Sequence, residues 1–104
     1  MDEVPGFRLV ASAVSEDLHR VRLSGEVDFT CAESLAESLI FFNGTSVELD
    51  VSELTFIDAG AVGAMVKVKQ KLQSQGCDLY VTGAQGIVRR ALEVVGPDDW
   101  AGAE

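Results

Sequence analysis

The sequence has one histidine (His19), two cysteines (Cys31 and Cys77), two prolines, one tryptophan and one tyrosine among 104 residues. Each scarcity excludes a class of chemistry. A zinc site gathers about four soft ligands, usually as closely spaced Cys or His pairs. Here the cysteines stand 46 positions apart, with no CxxC, beside a single histidine, so no metal site is expected. His19 falls on an alternating, strand-like segment, where it reads as a structural or solvated residue. Ser24 and Asp28 are its neighbours in sequence only, which is not the geometry of a triad. No GxxxxGK[ST] occurs, and Gly83-Ala84-Gln85-Gly86 is too short for a dinucleotide fingerprint. The chain is therefore expected not to be an enzyme and to need no cofactor.

Bases are scarce as well: eight Lys and Arg against 17 Asp and Glu, a formal charge of −9. Nucleic-acid binders carry a basic footprint, so DNA and RNA are not expected as direct partners. The acidic excess lies before residue 59. Residues 1–58 hold twelve acids and only Arg8, Arg20 and Arg22, whereas residues 59–104 hold five of each sign. No apolar run approaches the roughly 18 residues of a membrane span. The opening Met1-Asp2-Glu3 is acidic where a secretory leader would be positive, which predicts a cytoplasmic protein.

What is present is a compact alternation of strand and helix signals. Hydrophobic residues make up 47% of the chain, which excludes a disordered tail. The length suits a single domain over 1–104, with a tail at 98–104 expected to fray apart from Trp100. Period-two alternation predicts strands over 7–14, 18–23 and 46–51, with a short one at 79–81. The turn at Ser15-Glu16-Asp17 makes the first two a hairpin, and Ser24-Gly25 reads as the end of the second. Thr30-Cys31-Ala32-Glu33 reads as a capping box opening a helix through Ala32, Leu35, Leu39 and Phe42. Asn43-Gly44 is its stop. A second helix carries Ala61, Met65, Val68 and Leu72 on one face and stops at Gly76. A third places Ile87, Ala91 and Val94 or Val95 inward, with Arg89 and Arg90 outward.

The order is β-β-α-β-α-β-α. Right-handed crossovers then make strands two to four parallel, with strand one antiparallel beside them, a mixed four-stranded α/β sheet. Cys31 follows the carboxyl end of strand two and Cys77 precedes the amino end of strand four. They therefore belong at opposite ends of the sheet, too far apart for an intramolecular disulfide.

In open α/β sheets, function collects beyond the carboxyl ends of the parallel strands. Those ends are 25–30, 52–63 and 82–86. The middle one, running through Asp58-Ala59-Gly60-Ala61-Val62-Gly63, combines an acid with small residues at a helix start. Such a start suits an anion. The simpler reading is that Asp58 caps the helix and the small residues let the loop pack.

The segment Val47-Glu-Leu-Asp50-Val-Ser-Glu-Leu-Thr-Phe-Ile-Asp58 resembles the central signature of the STAS domain. Leu23-Ser-Gly-Glu-Val-Asp28 resembles that family's "GELD" segment. Gly76-Cys-Asp-Leu-Tyr-Val-Thr-Gly83 and Val88-Arg-Arg-Ala-Leu92 resemble its last strand and following helix. The resemblance implies an anti-sigma factor antagonist, whose partner is an anti-sigma factor, often of the ATP-dependent serine-kinase type. Such a regulator frees a sigma factor, and the kinase reverses binding by phosphorylating the second serine of an Asp-Ser-Ser-Gly-Leu-Gly loop. Mapped onto this chain, Asp58 is the aspartate, Ala59 replaces the first serine, Gly60 the phosphoacceptor and Ala61 the first glycine, while Gly63 matches the last. Gly60 has no hydroxyl, so the usual phosphoswitch is expected to be absent. Ser52, Thr55 and Thr30 are the nearby hydroxyls that could replace it. The expected partner-facing residues are Asp28, Thr55, Asp58, Ala59, Gly60, Ala61, Val62 and Met65. Alternatives are a scaffold or accessory subunit of a transporter ATPase or signalling complex, or binding of a small ligand or nucleotide at the same helix start. A monomer or weak homodimer is expected.

Overall fold

Leu18 to Leu23 alternates apolar and polar side chains, and this pattern builds the second strand of a four-stranded sheet. In the computed structural model, which describes residues 6–101, the elements are β1 (Phe7–Ser15), β2 (Leu18–Val27), α1 (Ala32–Ile40), β3 (Ser46–Ile57), α2 (Ala59–Gln73), β4 (Leu79–Thr82), α3 (Gly86–Val95) and α4 (Asp98–Ala101). The strand order is β1-β2-β3-β4, with β1 antiparallel to β2 and the remaining pairs parallel. This is the α/β order expected from the sequence, with one short helix added at its end.

One face of the sheet is buried and the other is open. Val21, Leu23 and Val27 of β2, Val47, Leu49 and Val51 of β3, and Leu79 and Val81 of β4 are all buried. They pack with Leu35 and Leu39 of α1, Met65, Val68 and Leu72 of α2, and Val88 and Leu92 of α3. Two crossovers stepping the same way along a sheet place their helices on the same face. The opposite face carries Arg20 and Arg22, paired with Glu48 and Asp50 on the neighbouring strand.

β3 runs six residues beyond the expected end at Val51. Its inward residues are Val47, Leu49, Val51, Leu54 and Ile57, so the spacing of two becomes three twice. The β2–β3 register shifts at the same two places, between Arg22 and Ser24 and between Gly25 and Glu26. Each extra residue bulges the strand and restores its inward face. The broken alternation is what made 52–57 read as a loop. β2 likewise continues through Ser24-Gly25 to Val27. Gly25 has φ +99, and a Cβ there would fall 2.4 Å from the Gly6 carbonyl oxygen, so only glycine fits.

Three further expectations are corrected. Thr30 does not cap α1: the N-cap is Cys31, with no side-chain hydrogen bond, and Thr30 bonds Asp28 instead. Helix α1 ends at Ile40, and Phe42 packs against the core from the turn that follows. The inward face of α3 is Val88 and Leu92, leaving Ile87 and Val94 exposed. The sequence offered two apolar stripes one residue apart, and the stripe that meets β3 and α2 is buried.

The tail beyond Pro97 is helical over its described part. Asp98–Ala101 forms α4, and Trp100 is fully buried, with its Nε1 donating to the Leu79 carbonyl at 3.2 Å. Lys69 donates to the same carbonyl at 3.1 Å, to Asp78 at 2.7 Å and to Asp99 at 3.2 Å. Residues 102–104 of the expected tail lie outside the described residues.

Candidate functional site

The carboxyl ends of β2 and β3 are adjacent, so the turns after them share one edge. Asp58 joins them. It is the N-cap of α2, and its Oδ1 accepts from the Ala61 amide at 2.9 Å. Its Oδ2 accepts from the Phe29 amide, also at 2.9 Å. The Asp58 amide in turn donates to the Val27 carbonyl at 3.2 Å. Both carboxylate oxygens are thus committed to backbone amides. Asp58 acts as a clasp between the β2–α1 turn and the start of α2.

Asp28 organises the other turn. Its Oδ1 accepts from the Thr30 hydroxyl and from the Thr30 amide. The Thr30 hydroxyl, then its amide, hold the Asp28 carboxyl below the usual carboxylate range. The result is an Asx turn that ties its own backbone. Phe29 is lifted out of it, 72% exposed.

Between α1 and α2, beside these turns, lies a groove of about 460 Å³ lined by Ala32, Ala36, Gly60, Gly63 and Ala64. Phe29 stands at its head, and Glu33 and Lys67 flank it. A Cβ at Gly60 would meet the Phe29 Cβ at 3.0 Å, whereas a Cβ at Gly63 would meet nothing within 4 Å. Packing within the chain therefore does not require Gly63 to be a glycine. A mid-helix glycine costs about 0.5–1 kcal/mol relative to alanine.

The expected partner-facing residues divide. Asp28, Thr55, Asp58, Ala59 and Gly60 reach the surface wholly or in part. Ala61, Val62 and Met65 are fully buried, because the first turns of α2 face the core. Phe29, Glu33, Gly63, Ala64 and Lys67 were not among the expected residues, yet they form the groove. The signal for Phe29 was available: a phenylalanine outside any periodic face, between Asp28 and Thr30. The Thr55 hydroxyl donates to the Gly25 carbonyl at 2.9 Å and serves the bulge. The third strand end joins elsewhere. Gln85 donates to the Ser52 carbonyl at 3.2 Å, and a Cβ at Gly83 would fall 2.9 Å from Ser52 Cβ. Ser52 and the Thr82–Gly86 turn thus form a separate contact along β3.

His19 lies at the opposite end of β2, its ring tilted by 42° against Phe42 with centroids 4.9 Å apart and its Nδ1 3.1 Å from the Thr45 hydroxyl. Its role there is structural. Cys31 and Cys77 are both free thiols, at opposite sheet ends as expected. Among the described residues, no group of three or more His, Cys, Asp or Glu is placed to hold a metal. Among those residues, too, no helix is long and apolar enough to cross a membrane.

Comparison with solved structures finds the same fold in regulators. The anti-sigma factor antagonist SpoIIAA in its unphosphorylated form superposes with a TM-score of 0.72 at 20% identity, over 86% of this chain and 84% of that one. The Bacillus cell fate determinant SpoIIAA in its phosphorylated form gives 0.68 at 18% identity, over 89% and 87%. An anti-sigma factor antagonist from Mycobacterium paratuberculosis gives 0.72 at 17% identity, over 88% and 79%. Residues 10–101 match the STAS domain, and with that match across nearly the whole described chain the protein belongs to the STAS domain family.

Proposed function

We propose that this protein is an anti-sigma factor antagonist. It binds a kinase-type anti-sigma factor through the groove between α1 and α2 and so releases a sigma factor. The observation that carries this reading is the groove itself: an exposed Phe29 over a floor of Gly60, Gly63 and Ala64 at the start of α2. Gly63 supports it, since a helix glycine with open space above its Cα admits a partner's backbone closely. The proposed role is binding rather than catalysis, and its setting is the cytoplasm.

The binding is not switched by phosphorylation at the usual position. Gly60 has no side-chain hydroxyl to accept a phosphoryl group. Elsewhere in the fold such a group would bring about −1.5 to −2 charges to the partner-facing turn. The site thus remains sterically and electrostatically in its unmodified form.

The test is affinity for a purified anti-sigma ATPase, measured with wild type and Gly63→Leu. The leucine fills the groove without meeting any atom of its own chain at Cβ. The expected result is loss of binding at least tenfold with a melting temperature that is not lowered. Equal affinity of the two proteins would move the interface away from this groove.

A further inference from the structure

Edge strands are normally guarded by charge, proline, shortness or a bulge, because their free N–H and C=O groups invite another strand. β1 is an edge strand, paired only with β2 among the described residues. From Leu9 to Ala13, ahead of a bulge between Ala13 and Ser15, it carries no charge and no proline. Val10 is 60% exposed and Val14 48% exposed.

The backbone phase of β1 follows from one bond. The Glu26 amide donates to the Gly6 carbonyl at 2.9 Å, in register with Phe7 opposite Gly25. Hydrogen-bonded and non-hydrogen-bonded pairs alternate along an antiparallel ladder. Arg8, Val10 and Ser12 therefore turn their backbone groups toward β2. Leu9, Ala11 and Ala13 turn theirs toward the open edge.

The sequence along that edge is its own mirror image: Val10-Ala11-Ser12-Ala13-Val14. We infer that β1 pairs antiparallel with β1 of a second copy of this chain, about a two-fold axis through Ser12. In this register Ala11 of each copy faces Ala13 of the other, and these pairs exchange about four backbone hydrogen bonds. Their outward backbone groups are the ones the phase requires. Ser12 faces Ser12, and Val10 faces Val14, as non-hydrogen-bonded pairs whose side chains meet on the open sheet face. The same register thus matches backbone phase and apolar contact up to the bulge between Ala13 and Ser15. Any shift of two residues breaks the valine match.

The assembly is a continuous eight-stranded sheet. Its two α1–α2 grooves lie at opposite ends, and neither is covered. One edge strand buries less than the roughly 800 Å² per partner of a standard interface, so the dimer is weak. The net charge of −9 on each copy opposes it further at low salt.

Sedimentation velocity of the full chain between about 10 µM and 1 mM tests the pairing. The expected result is a concentration-dependent monomer–dimer equilibrium. Ser12→Lys, which sets like charges against each other at the axis on a solvent-exposed site, is expected to give only monomer at every concentration with an unchanged melting curve. Ser12→Cys is expected to form a disulfide joining position 12 of two copies under mild oxidation with diamide, located by peptide mapping, since Cα atoms of such a pair stand about 4.5 Å apart. A wild type that stays monomeric to 1 mM overturns the inference. So does a dimer that survives Ser12→Lys, or a crosslink that maps to Cys31 or Cys77 only.

Discussion

Phe29 stands over Gly60, and the distance between them sets what position 60 can hold. The Cβ of any other residue there would lie 3.0 Å from the Phe29 Cβ. The same Phe29 has its amide fixed by Asp58 Oδ2, so the ring and the turn beneath it are positioned by one carboxylate. The absent hydroxyl and the aromatic lid are therefore parts of one arrangement.

Gly60→Ser is expected to fold with a penalty below about 1 kcal/mol. Replacing a helical glycine gains about 0.5–1 kcal/mol, which offsets the contact with Phe29. Phe29→Ala keeps the offending Cβ, whereas Phe29→Gly removes it. A double-mutant cycle of Gly60→Ser with Phe29→Gly, read by urea denaturation, is expected to show a coupling of about 0.5 kcal/mol or more. The same cycle with Phe29→Ala is expected to show little.

Asp58→Ala removes a helix cap and a cross-link between turns. The cap is worth about 1 kcal/mol and the bond to Phe29 a comparable amount, so a loss of about 2 kcal/mol is expected. For a domain this size that lowers Tm by roughly 10 °C. Asp58→Asn keeps one acceptor oxygen and is expected to lose about half as much. Hydrogen exchange at the Phe29 and Ala61 amides checks the assignment, since both are expected to lose protection in Asp58→Ala.

Trp100→Ala is expected to cost about 3–5 kcal/mol, a large share of a typical total stability of about 5–15 kcal/mol. Trp100 is fully buried and closes the space beside α2 and β4. A chain ending at Pro97 is expected to melt far below the full chain, measured by circular dichroism.

Lys69 links stability to alkaline pH. Burial pushes its ammonium pKa down, but hydrogen bonds and charge from Asp78 and Asp99 outweigh this and raise it above 10.5. The folded protein thus holds this proton more tightly than the unfolded chain. Its contribution is fully present below pH 10.5 and is lost as pH rises through the folded pKa. Lys69→Met keeps the stem and has no proton to lose. The stability difference between wild type and Lys69→Met is expected to be constant from pH 7 to 9 and to shrink above about pH 10.5, followed by urea denaturation.

Much of this architecture was legible in the sequence, and the failures share a cause. Element order and the buried stripes of α1 and α2 follow from local periodicity, which Val21, Leu23, Leu35 and Met65 obey. The second half of β3 was not legible, because the bulges beside Leu54 and Phe56 destroy the period while preserving the face. The α3 face depends on which surface of the sheet is left over once other helices have docked. At the site, Asp58 was legible as a cap. The groove was not, since it exists only where α1 and α2 come together in the fold.

The most direct test of the proposed function is affinity for a purified anti-sigma kinase before and after incubation with ATP and magnesium. Calorimetry and intact-mass measurement are made on the same samples. The expected result is tight binding, no added phosphate on residues 52–63 and an unchanged Kd, with Gly60→Ser alone acquiring phosphate and losing affinity. Phosphate on this segment of the wild-type chain with loss of binding would contradict the account, as would no binding in either condition.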